Sequence, residues 1–102
     1  MGIFKKPPFL EEAIKRYTYY ESGSVERWIM EQTTRGVLDA LTGNIKQQKE
    51  QDPGHYTNYE KGLISGWNSY LKSRERLEET REQFVNKLEQ FLKAIDEIEG
   101  RI

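Results

Sequence analysis

From Leu63 onward, large side chains recur at 63, 67, 70, 77, 84, 88, 91, 95, 98 and 102, and Arg74 and Arg81 fill the two gaps. The steps alternate four and three without interruption, which is the heptad rule of a helix with one apolar seam. Trp67, Arg74, Arg81, Leu88, Ile95 and Ile102 take one seam position; Leu63, Tyr70, Leu77, Phe84, Phe91 and Ile98 take the other. Apart from Gly62 and Gly66, nothing between Thr57 and Glu99 breaks a helix, and Gly100 is a natural stop. The pattern predicts a helix over 56–99, which at 1.5 Å per residue would be ~66 Å long. A compact domain of this size has a radius of gyration of only ~13 Å. A rod of that length predicts an elongated hairpin, an oligomer along the overhang, or both.

The remainder of the chain supplies two more helices. Pro7-Pro8 closes an N-terminal arm over 1–7, and Pro8 suits a first helical turn, where a missing N–H costs nothing. Glu11 and Glu12 follow at the positive end of the helix dipole. Leu10, Ala13, Ile14 and Tyr17 then repeat at helical spacing, giving helix 1 over 8–20, with Gly23 as its terminator. Ser24 is the N-cap expected for helix 2 over 24–50, kinked within 32–43 by Gln32-Thr33-Thr34-Arg35-Gly36 and Gly43. Asp52-Pro53-Gly54 is the turn into helix 3. No segment alternates as a half-buried strand does. The fold class is therefore all-α: one domain over 1–102, an elongated helical hairpin with a short N-terminal helix and a long C-terminal heptad-bearing helix.

Composition excludes several functions. The 102 residues hold 16 Lys and Arg against 17 Asp and Glu, a net charge of -1, so bulk charge does not mark a nucleic-acid binder. There is no Cys, hence neither a disulfide framework nor a thiolate site. No apolar run approaches the ~20 residues of a membrane span. No charged-then-apolar leader opens the chain, and Met1-Gly2 lacks the Ser or Thr that a myristoylation signal carries where Lys6 stands. A cytoplasmic location is expected. His55, the one histidine, shares a turn with Asp52, and two ligands do not make a metal site. Without a His or Cys partner no nucleophile–base pair assembles, and no glycine-rich phosphate loop is present. No catalytic residue, cofactor or metal is expected, and the chain is read as a non-enzyme.

Two interaction surfaces are expected instead. Leu77, Phe84, Leu88, Phe91, Ile95 and Ile98 form a self-association or partner interface, with a dimer favoured because arginines in a seam disfavour larger bundles. The alternative cover is helix 1, whose Phe9, Leu10 and Ile14 would meet Phe91, Leu92 and Ile95. The charged run from Lys72 to Glu82 reads as a solvated helix with pairs such as Arg76–Glu79 and Glu78–Arg81. Tyr17, Tyr20, Tyr56, Tyr59 and Tyr70 form an aromatic contact face, since Tyr and Trp dominate protein-interface hot spots. Gly62 and Gly66, one turn apart, predict close approach of helix 2 to helix 3.

Trp and Gly in a two-helix chain of this length invite comparison with the secreted WXG-type hairpins. Those carry Trp-x-Gly in the interhelical turn, whereas Gly66-Trp67 is reversed here and lies within helix 3, so the match is rejected. The stretch Tyr59-Glu60-Lys61-Gly62-Leu63-Ile64-Ser65-Gly66-Trp67 resembles the Tyr-x-x-Gly-x-Ile-x-Gly-aromatic opening of small helical accessory proteins of tailed bacteriophages. That resemblance implies a virion-assembly or host-factor-blocking protein in the bacterial cytoplasm, acting through protein contacts. The alternative is a dimeric nucleic-acid-associated regulator that pools Lys5, Lys6, Lys15 and Arg16.

Overall fold

The computed structural model describes residues 8–43, 55–78 and 80–101. The arm over 1–7, the stretch 44–50 assigned to helix 2, the Asp52-Pro53-Gly54 turn, Glu79 and Ile102 lie outside the described residues. Among the described residues four helices follow one another, α1 (Phe9–Thr18), α2 (Val25–Thr42), α3 (Asn58–Leu77) and α4 (Arg81–Ile98), with no strand.

Local chemistry sets their ends. Pro8, at φ -54° and ψ 143°, stands just before α1, and its carbonyl accepts the Glu12 N–H at 3.1 Å. The Ser24 hydroxyl accepts the Arg27 N–H at the start of α2. α2 continues through Gln32–Gly36 and stops where Gly43 turns left-handed at φ 79°. Thr57 and Glu60 form a reciprocal capping box on α3.

The expected single helix over 56–99 is two helices. Glu78 is extended at ψ 145°, and Thr80 (φ -136°, ψ 155°) caps α4 by accepting the Gln83 N–H at 3.1 Å. The break forfeits about one turn of backbone hydrogen bonds, partly replaced by the cap. In exchange Phe84, Leu88, Phe91, Leu92 and Ile95 pass into the core, where large apolar side chains contribute ~1.5–3 kcal/mol each. Burial outweighs the continuity of the helix. The elongated hairpin is thereby corrected to an all-helical globule with a radius of gyration of 14.1 Å.

α2 packs on both α3 and α4, and α1 lies mainly along α4. Phe9 and Tyr17 of α1 meet Phe91 at centroid distances of 6.2 and 6.1 Å. Trp67 reaches the same ring at 5.9 Å. Polar ties close the end of the bundle. Glu99 accepts from the Tyr17 hydroxyl at 2.5 Å and from Arg27 at 2.9 Å. Arg101 grips buried Glu31 through both of its terminal nitrogens, at 2.7 and 2.8 Å. Arg35 adds a third bond to Glu31 at 2.9 Å.

Candidate docking grooves along α3

Several surfaces expected from the sequence are occupied by the fold itself. Phe84, Leu88, Phe91 and Ile95 are fully buried beneath α1 and α2, so they form core rather than an exposed seam; the cover is helix 1, through Phe9 and Tyr17. Leu77 and Ile98, at the two helix ends, are exposed. Arg74 is buried beside Glu12 at 3.7 Å, with its guanidinium 5.8 Å from the Phe9 ring centroid. Glu78 pairs with Lys87 at 2.8 Å rather than with Arg81.

The five tyrosines do not share one exposed face. Tyr17 is core, and burial together with its bond to Glu99 holds its phenol protonated well above the ordinary range. Tyr70 stacks on Trp67 at 4.9 Å and lies under Arg16 at 4.2 Å; burial, then the charge of Glu12, push it up to about 12. Tyr20 and Tyr56 are half-buried, Tyr56 against Trp28 at 6.1 Å. Tyr59 is exposed and donates to Glu26 at 2.8 Å. Outside these five, Tyr19 is more exposed than Tyr59, and Trp28 is comparably so.

Gly62 and Gly66 overturn the expectation of close helix packing. A Cβ built on either would meet nothing within 4 Å. α2 approaches α3 elsewhere, through the bond from the Trp67 indole to Thr34. The two glycines instead face a groove of about 750 Å³ between α1 and α3. Met30, Leu63 and Trp67 give it apolar contact surface. Glu12, Lys15, Arg16, Tyr19 and Tyr20 line its α1 side. The groove lies beside the contact of α1 with α3, where Phe9 stacks on Tyr70 at 6.2 Å, Arg16 lies over the same ring and Glu12 reaches Arg74.

A second groove, of about 790 Å³, lies between α2 and α3. Lys61, Ile64, Ser65, Asn68, Ser69 and Lys72 form its α3 wall, a spacing that keeps all six on one helix face. Val37, Gly36 and Thr33 are on the α2 wall. α3 is thus packed along its Trp67–Leu71–Arg74 face and flanked by a groove on either side.

Among the described residues no group of three His, Cys, Asp or Glu side chains is placed to hold a metal ion. His55 is exposed at the approach to α3, while Asp52 lies outside the described residues. Glu31 and Glu99 are both shifted below the usual carboxylate range, Glu31 first by its bond from Arg101 and Glu99 first by its bond from Tyr17. No helix among the described residues is long and apolar enough to cross a membrane. Compared with protein-family models, curated proteins and solved structures, the chain finds no match.

Proposed function

We propose that the chain is a non-catalytic protein–protein interaction module that seats a helix of its partner in the groove between α1 and α3. One observation carries the reading: Gly62 and Gly66 stand inside a helix, face open space, and have no neighbour within 4 Å of a would-be Cβ. Each glycine costs ~1 kcal/mol relative to Ala in a helix, and no contact among the described residues offsets it. Close approach of an outside helix does offset it, and Met30, Leu63 and Trp67 offer that helix an apolar bed.

The finer assignment is an accessory protein of tailed-bacteriophage type, working in virion assembly or by blocking a host factor in the bacterial cytoplasm. Its support is the Tyr59–Trp67 stretch, whose Gly62, Gly66 and Trp67 all line the groove. The nucleic-acid alternative has less to stand on. Arg16 is engaged by Glu12 and Tyr70, and Lys5 and Lys6 lie outside the described residues.

The test is a comparison of wild type with Gly62→Gln/Gly66→Gln, which fills the groove while keeping helix-forming residues. Cross-linked complexes are identified from expressing cells, and solution mass is measured over a dilution series. A complex formed by wild type and lost in the double variant supports the reading. If it is a doubled mass, the occupant is a second copy; if the mass stays at 12.1 kDa, it is a different protein. Identical complexes from both proteins would overturn the α1–α3 site.

A further inference from the structure

The groove between α2 and α3 has a charge pattern of its own. Lys61 and Lys72 stand at its two ends, eleven residues apart on one face of α3, or ~16 Å along the axis. Among the described residues no carboxylate lines it. Between the lysines, Ser65, Asn68 and Ser69 offer hydroxyl and amide groups. Ile64 and Val37 provide apolar surface, and the α2 wall dips at Gly36, where an added Cβ would again meet nothing within 4 Å.

Some cations of the described residues are engaged within the chain and others, these two lysines among them, are not. Arg16, Arg27, Arg35, Arg101 and Lys87 each engage a carboxylate of the chain. The side chains of Lys61 and Lys72 are exposed, and neither side chain makes an ion pair or hydrogen bond with a described residue. Two unengaged cations thus bracket a groove that no described acid lines, in a chain whose net charge is -1.

We infer that this groove binds an acidic amphipathic helix of a partner protein, with a carboxylate near each end and apolar residues between. Acids eleven residues apart on such a helix lie three turns from one another on one face, matching the lysine separation. A nucleic-acid strand would call for a continuous cationic track and several stacking rings. Among the described residues this groove offers two separated cations and a single ring, Tyr56. The site is distinct from the α1–α3 groove and does not rest on it.

The probe is a synthetic helical peptide of about 16 residues with a leucine stripe and two glutamates three turns apart. Variants carry Gln or Lys at those two positions. Binding is followed by amide chemical shifts and fluorescence anisotropy at several salt concentrations. The Glu peptide is expected to shift amides along 61–72 and 33–40 and to bind more weakly as salt rises. Lys61→Glu/Lys72→Glu is expected to weaken it about tenfold and to prefer the Lys peptide instead. Because both lysines are exposed and unengaged, the variant should melt with wild type, which separates lost binding from lost fold. Equal binding of the Gln peptide, or no shift along the groove at millimolar peptide, overturns the inference. So does tighter binding of an oligothymidylate at the same salt. Shifts confined to Gly62 and Gly66 also overturn it, and leave the α1–α3 site standing.

Discussion

The indole N–H of Trp67 donates to the hydroxyl of Thr34 at 2.8 Å, and that hydroxyl donates to the Met30 carbonyl at 2.7 Å. Both side chains are buried, so a single hydroxyl satisfies the one polar atom of the tryptophan. Thr34→Val keeps the shape and strands the indole N–H away from water. It is expected to cost about 1–3 kcal/mol, read from chemical denaturation, whereas Thr34→Ser should cost clearly less. Equal losses in both variants would make the methyl group, not the hydrogen bond, the source of stability.

Glycine substitutions should divide by backbone conformation. Gly66 is helical with open space beyond it, so Gly66→Ala is expected to stabilise the chain by up to about 1 kcal/mol. Gly43 closes α2 at φ 79°, where a side chain is strained, so Gly43→Ala is expected to destabilise by about 1 kcal/mol. For a chain of this size the two should move the melting temperature by roughly 4–8 °C in opposite directions. A fall in melting temperature for Gly66→Ala would place an unseen neighbour against that helix face.

The break between α3 and α4 gives a third expectation. Thr80→Ala removes the cap that starts α4 and should cost about 1 kcal/mol in denaturant unfolding. Phe84→Asp is more diagnostic. On an exposed seam it would leave a folded chain of lower mass, but in the core beneath Phe9 it should abolish the helical circular-dichroism signal. A folded Phe84→Asp monomer would return that residue to a surface.

The helical class was legible; the covering of the 84–95 stripe by helix 1 stood only as the alternative to a self-association seam, although Phe9, Ala13 and Tyr17 repeat every four residues and such a stripe needs an opposing one. The fold of the C-terminal half was not read. Its spacing of four and three runs unbroken through Leu77 and Arg81, and periodicity is blind to a turn that preserves the count. One signal was present: Thr80 followed by Gln83 repeats the Thr57–Glu60 arrangement, a Ser/Thr-x-x-Glu/Gln helix start. The grooves were beyond reach from sequence. Gly62 and Gly66 fit close packing or an open face equally well until the position of α1 is known.

The ion pairs at the bundle end set the pH range of stability. Glu31 and Glu99 are held below the ordinary carboxylate value in the folded chain, so they bind protons more readily when unfolded. Their contribution is complete above the unfolded value of about 4.3 and is lost as pH falls through the folded values beneath it. Tyr70 is shifted the other way. Its phenol is pushed up to about 12 by burial, so its contribution is complete below the unfolded value of about 10 and is lost between there and about 12. Urea midpoints should therefore be flat from about pH 5 to 9.5 and fall on both sides. Arg101→Met removes the largest cause of the Glu31 shift. It should lower the plateau and make the acid limb shallower, while leaving the alkaline limb in place. An acid limb as steep as that of wild type would show that the bond between Arg101 and Glu31 contributes nothing to folding.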